Sequence, residues 1–249
     1  MDTKDITLVI GDAHVDPKQR RGLDRFNALH NLILERKPSR LVIIGDFITL
    51  DSLSDWDKDK RRRLEGKRYY HDIQVGRDAL GRMMGSGFDW KPELIFIEGN
   101  HEERLQRYLD RDPSFDGVVS IERDLCPDWK YIPYKSQWKY KGVSFTHIPI
   151  NEAGKALGGK NACQRSLEIY NNSVVFGHTH KLAVACVHRL SSPHLQQAVN
   201  VGCFFDHVDD YATGSVTSYW RGVVLLNHYS FNRMDVETIS MGRLRQDYA

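Results

Sequence analysis

Histidines, carboxylates and an asparagine recur in this sequence directly behind short apolar runs. Gly177-His178-Thr179-His180 follows Ser173-Val174-Val175-Phe176 and precedes Leu182-Ala183-Val184-Ala185. On an extended backbone, residues two apart point the same way. Imidazole is the commonest side-chain metal ligand, so this His-x-His pair reads as half of a metal site. Asp12 and His14, behind Ile6-Thr7-Leu8-Val9-Ile10 and Gly11, form a second pair two apart. Carboxylate beside imidazole suits Mn, Fe, Ni or Zn rather than Ca or Mg. Gly45-Asp46 closes a run over 40–44, and Glu98-Gly99-Asn100-His101-Glu102 closes another over 92–97. Asn100 offers a neutral amide oxygen, and His101 a titratable proton. His147 stands at the end of Val143-Ser144-Phe145-Thr146. Taken singly, Asp12 and His14 read as a loop aspartate and a surface histidine, and His147 as a satisfied core histidine. Their repetition at one strand end after another is what turns them into a candidate site.

The runs that position these groups have strand character: short, β-branched and stopped by glycine. Between the first two, Leu23, Phe26, Leu29 and Ile33 recur at helical spacing, and Lys37-Pro38-Ser39 ends the helix. Strand, helix and strand with a right-handed crossover make parallel neighbours. Asp12 and Asp46 then emerge side by side at the carboxyl edge of a sheet, where open α/β sheets hold their ligands. Residues 103–109 read as a helix starting beside the site, and Ala162 to Tyr170 as another. Beyond it the chain turns β-rich, over 182–189, 197–201, 222–227 and 235–239, which predicts a second, more antiparallel sheet. Residues 51–88 interrupt the rhythm. Asp57 to Arg68 carries seven Lys or Arg against three Asp or Glu, a local charge of +4, and the stretch then reads as helical up to Met84. This basic helical insertion has two readings, a solvated charged face or a surface that steers phosphate.

At 249 residues the chain fits one domain over 1–249 with a full core, and 41% hydrophobic and 27% charged residues are ordinary for a globular protein. No apolar run is long enough to span a bilayer, so no membrane partner is expected. The charged start, Met1-Asp2-Thr3-Lys4-Asp5, is unlike a secretory signal. Cys126, Cys163, Cys186 and Cys203 form no Cys-x-x-Cys pair, so neither a zinc knuckle nor a disulfide framework is indicated. Reduced thiols in a cytoplasmic protein are the expectation. A net charge of +2 leaves any attraction for polyanions to local patches. Oligomeric state has no signature in the sequence.

Taken in order, Gly-Asp-Ala-His (11–14), Gly-Asp (45–46), Gly-Asn-His-Glu (99–102), His147 and Gly-His-Thr-His (177–180) resemble the calcineurin-like metallophosphoesterases over nearly the whole span from Ile6 to His180. The resemblance implies an α/β fold, a four-layer α/β/β/α sandwich of two mixed sheets. It implies that Asp12, His14, Asp46 and His180 hold one metal and that Asp46, Asn100, His147 and His178 hold a second. Mn²⁺ is the expected ion, with Fe, Ni or Zn as alternatives. The implied chemistry is hydrolysis of a phosphate ester by a metal-bridging hydroxide, with His101 contacting phosphate and protonating the leaving oxygen.

Departures from the pattern narrow the substrate. Protein phosphatases of this superfamily carry Asp-Arg-Gly after the second block, where this chain has Gly45-Asp46-Phe47-Ile48-Thr49. Its DNA-repair nucleases carry a capping domain for which little room remains. Asn200-Val201-Gly202-Cys203 and Tyr219-Trp220-Arg221-Gly222 look like small stand-alone members, including phage-encoded ones. A phosphodiesterase acting on nucleotides or nucleic acid is the leading expectation, given the basic 57–68 segment with Arg104 and Arg107. The alternatives are a phosphomonoesterase, a nuclease subunit working with an ATPase partner, and a non-catalytic metal-binding scaffold. Asp206-His207-Val208-Asp209-Asp210 reads as a solvated acidic turn rather than a further metal cluster.

Overall fold

Alternation along the first strand sets the layering. In the computed structural model, which describes residues 5–55, 59–188, 195–206 and 218–249, Ile6, Leu8 and Ile10 of β1 (Ile6–Ile10) face a core shared with helices. Val9, on the opposite face, joins a core between two sheets. Both faces of the strand are therefore covered, as its unbroken apolar run requires. β2 (Arg40–Ile43), β3 (Glu93–Ile97) and β4 (Lys130–Ile132) continue from β1 as parallel neighbours. The crossovers are α1 (Asp24–Arg36), between β1 and β2, and the short α2 (Arg61–Leu64) with α3 (Tyr69–Met83), between β2 and β3.

α1 buries Phe26, Ala28, Leu29, Leu32 and Ile33 along one stripe, and Lys37, left-handed at φ 44°, caps it by donating its N–H to the Ile33 carbonyl. The second half of the 51–88 stretch is α3, whose Ile73, Val75, Ala79, Leu80 and Met83 join the same core. α4 (Arg104–Leu109) and α5 (Ile121–Leu125) follow β3 and complete this face.

β5 (Trp138–Tyr140), β6 (Val143–Thr146), β7 (Ser173–Phe176), β8 (Leu182–His188) and β9 (Leu195–Val201) build the second sheet, in the order β5-β6-β7-β9-β8. α6 (Ala162–Ile169) covers its outer face through Cys163 and Leu167. Helices, sheet, sheet and helix stack as four layers. Both sheets are mixed, which is the α/β sandwich expected.

The expected assignment of all late strands to the second, more antiparallel sheet needs correction. β10 (Gly222–Ser230) pairs antiparallel with β1, matching Ile6 to Asn227 and Ile10 to Val223, and β11 (Arg233–Ser240) pairs outside it. Both belong to the first sheet, in the order β11-β10-β1-β2-β3-β4. The reason lies in the run Val223-Val224-Leu225-Leu226. Val223 and Leu225 enter the helix-side core while Val224 and Leu226 enter the inter-sheet core, so β10 must be an interior strand. The second sheet in turn keeps two parallel pairings, β6 with β7 and β7 with β9. α7 (Met241–Tyr248) then returns across the helical layer, burying Met241 and Leu244.

Candidate metal centre

The candidate residues sit where strands stop and the chain turns. Asp12, Asp46, Asn100 and His101 follow β1, β2 and β3 of the first sheet, and His147, His178 and His180 follow β6 and β7 of the second. They meet at the seam between the two sheets. Backbone conformation aims them. His14, Asp46, His178 and His180 are all left-handed, at φ 44°, 48°, 67° and 58°. That conformation costs a non-glycine residue roughly 1–2 kcal/mol, and such strain collects at functional sites. The extended alternation expected for His178 and His180 is therefore replaced by a turn, which splays them. His180 joins Asp12 and His14, whereas His178 joins Asp46 and His147. The pair is not one half-site but a contributor to two.

The first group is compact. His180 Nε2 lies 2.9 Å from Asp12 Oδ2, and the His14 and His180 rings are 5.1 Å apart. In the second, His147 Nε2 lies 3.4 Å from Asp46 Oδ2, 3.1 Å from Asn100 Oδ1 and 3.2 Å from His178 Nδ1. Asp46 faces both groups with one oxygen: Oδ2 is also 3.9 Å from His14 Nε2. Its other oxygen, Oδ1, accepts the His101 N–H at 2.8 Å. Asp12 divides its oxygens likewise, with Oδ1 accepting the His178 N–H at 3.0 Å. The His101 ring stands 4.5 Å from that of His14. All eight candidate residues are thus brought together. Close approach is allowed by glycine: a Cβ on Gly99 would lie 2.1 Å from the Asp46 nitrogen, and one on Gly177 2.5 Å from Asp12 Oδ1.

Burial and charge favour cations here. Asp12, His14, Asp46 and His147 are at most 2% exposed. Burial alone would push the Asp46 carboxyl up, but His147 and His101 outweigh it and hold it well below the usual carboxylate range. Burial likewise opposes a charged His147, yet Asp46 raises that imidazole to about 9. His178 is held below its ordinary value by burial and then by His147. Burial also lowers His101, with Arg104 adding to the effect against Asp46.

His147 Nδ1 is 2.9 Å from the Ile44 carbonyl, which can only accept, so Nδ1 keeps a proton and Nε2 is the nitrogen turned toward the site. Once a cation displaces the proton on it, Nε2 joins Asn100 Oδ1 and Asp46 Oδ2 as acceptors converging on one point. A cation resolves such a convergence, and the oxygen–nitrogen donor set fits a divalent transition metal.

Several supporting residues were not singled out in the sequence. Glu102, fully buried, accepts the backbone N–H groups of Asp46, Ile48 and Gly99 at 2.9–3.0 Å, locking the second turn to the third. Burial, then Asp46, raises its carboxyl to about 8. Its signal was its place in the Gly-Asn-His-Glu block. Phe205 packs edge-on against His14 and His180 at ring distances of 5.0 and 5.1 Å, and Tyr219 against His180 at 4.7 Å. No pattern marked Phe205, and Tyr219 stood out only within the Tyr219-Trp220-Arg221-Gly222 block, with no role assigned to it. Of the 206–210 segment, residues 207–210 lie outside the described residues, as do 57 and 58 of the basic segment.

A family model described as calcineurin-like phosphoesterase matches residues 7–182, well over half the chain. No curated protein matches. Similar solved structures include a Vps29 of Entamoeba histolytica complexed with zinc, 16% identical over 95% of this chain and 99% of that one (TM-score 0.41). Nuclease MPE of Pseudomonas putida is 14% identical over 93% and 87% (TM-score 0.41). A metallophosphoesterase of Sphaerobacter thermophilus is 12% identical over 97% and 93% (TM-score 0.46). The match of the family model, which ends just past His180, carries the assignment: the chain belongs to the calcineurin-like phosphoesterase family.

Proposed function

We propose that this chain, acting as a single domain, hydrolyses phosphate esters with two divalent ions, and that it is a phosphodiesterase for nucleotide or nucleic-acid substrates. Asp12, His14, Asp46 and His180 would hold one ion and Asp46, Asn100, His147 and His178 the other, with Mn²⁺ the expected metal. The observation that carries this reading is Asp46 Oδ2, which faces His14 and His147 at once while Oδ1 is committed to a backbone N–H. The ions, when bound, supply Lewis acidity toward phosphoryl oxygens and an activated water.

The chain's own residues do the rest. Glu102 and the Ile44 carbonyl fix the orientation of Asp46 and His147. His101 Nδ1 lies 2.9 Å from the Thr49 carbonyl, so it holds a proton there and leaves Nε2 to exchange one with the substrate. His101 is partly exposed, within reach of a ligand. Lys67, Arg104, Arg107 and Arg111 flank this side and support a polyanionic substrate, although Asp51, Glu103 and Asp55 pair with them.

The test is hydrolysis of bis-p-nitrophenyl phosphate and p-nitrophenyl phosphate by metal-stripped protein with Mn²⁺ added back. Diester cleavage that requires Mn²⁺ is expected, with Asp46→Ala inactive and His101→Ala reduced by about 10²-fold or more. Cleavage of the monoester alone would replace the diesterase reading with a phosphatase. Failure to bind metal would sink the assignment.

A further inference from the structure

Arg104 opens α4 with its guanidinium against the imidazole of His101. Nη1 donates to the Thr49 carbonyl at 2.7 Å and lies 3.3 Å from Asp51 Oδ1. The same carbonyl takes His101 Nδ1, so one oxygen anchors both side chains. Asp51 is held in turn by Lys67 Nζ at 2.9 Å. The Arg104 side chain is only 13% exposed, an unusual depth for an arginine on a six-residue helix. Fixed from behind, the fork presents Nη2 at 3.5 Å from His101 Nε2. That separation is long for a hydrogen bond between the two nitrogens. It nevertheless lets one oxygen sit about 2.9 Å from both.

We propose that Arg104 is a substrate-contacting residue that, together with His101, grips the departing ester oxygen; the proposal rests on the phosphoester-hydrolase reading above. In the reaction, water oxygen forms the new bond to phosphorus. The old P–O bond breaks with its electron pair going to the departing oxygen, which takes a proton relayed through His101 Nε2. The proton given up by the water restores the balance, so one water is consumed per ester. Until the proton arrives, negative charge builds on the departing oxygen, and a fixed N–H donor there stabilises the transition state more than the ground state. The benefit grows with the basicity of the leaving group. A nucleoside alkoxide needs Arg104, whereas p-nitrophenolate disperses its own charge.

The experiment compares wild type, Arg104→Met and Arg104→Lys, all loaded with Mn²⁺, on thymidine 5′-p-nitrophenyl phosphate and on a thymidine dinucleotide. For Arg104→Met, kcat on the dinucleotide is expected to fall roughly 10- to 100-fold, as for loss of a charged hydrogen bond. The aryl ester should fall about threefold or less, and lysine should recover part of the dinucleotide loss. Equal losses on both esters would overturn the proposal, since a merely structural arginine is blind to the leaving group. A second readout needs no turnover: calorimetric titration of inorganic phosphate into the Mn²⁺-loaded proteins. Weakening by about tenfold in Arg104→Met, with the bound Mn²⁺ unchanged, supports the contact, and unaltered affinity refutes it. Arg104-dependent phosphate binding by a wild type that cleaves neither ester would sink the hydrolase reading while leaving the anion contact standing.

Discussion

At the scale of single residues, the centre is built from side chains whose two ends do different work. Asp46, Asp12 and His147 each give one atom to a backbone group and turn the other inward. Outside the centre, His228 on β10 shows the same economy with another outcome. Its Nε2 lies 3.0 Å from Thr7 Oγ1 and its ring meets Tyr140 edge-on at 5.2 Å. Burial, then Arg40 and Lys141, lowers its imidazole to about 4. Between about pH 6.5 and 4 the unfolded chain binds this proton and the folded chain does not, so stability falls on acidification through that window. The loss is about 3 kcal/mol at its fullest. Urea denaturation at pH 7 and pH 4.5 should therefore show a smaller acid loss in His228→Asn than in wild type; parallel losses would contradict the assignment. The identities of the candidate ligands were legible in the sequence, because each stands behind an apolar run. How they share out was implied by the family resemblance but not by the residues' own spacing. Left-handed turns at His178 and His180 send neighbouring histidines to different groups, and no alternation rule anticipates that.

At the scale of elements, strands supply direction and turns supply aim. β1, β2, β3, β6, β7 and α1 could be read from composition and period. β10 could not be placed, although its four consecutive apolar residues carried the signature of an interior strand. Its partner, β1, lies more than two hundred residues away in sequence, and local patterning does not encode pairing partners. α7 was overlooked because only Met241 and Leu244 of its eight residues are buried. α3 offers a test of packing against propensity. A Cβ on Gly76 would lie 2.6 Å from Leu125 Cδ1 and 2.7 Å from Ile48 Cγ2. Replacing glycine by alanine inside a helix gains about 1 kcal/mol, while overpacking a core costs about 1–3 kcal/mol. Gly76→Ala should thus destabilise by about 1 kcal/mol in chemical denaturation. A gain in stability would mean that Leu125 and Ile48 yield freely.

At the scale of the whole molecule, two sheets from different parts of the chain must align before the donors meet. Ions bound only in the folded state stabilise it by about 2.7 kcal/mol for each site held at one hundred times its Kd. Mn²⁺ should therefore raise Tm by several degrees and a chelator should reverse the rise, the effect shrinking as the pH drops and protons compete for the imidazoles. Scanning calorimetry with and without chelator measures this, and an unchanged Tm would count against a resident metal.

The seam location has a mechanical consequence. Donors from opposite sheets stand 2.9 Å apart at His180 and Asp12 and 3.4 Å apart at His147 and Asp46. One residue of slip along a strand is about 3.3 Å, as large as those separations. A metal ion bound here would be a gauge of alignment. An ion held as proposed would bind fully only while the two sheets keep a single registration.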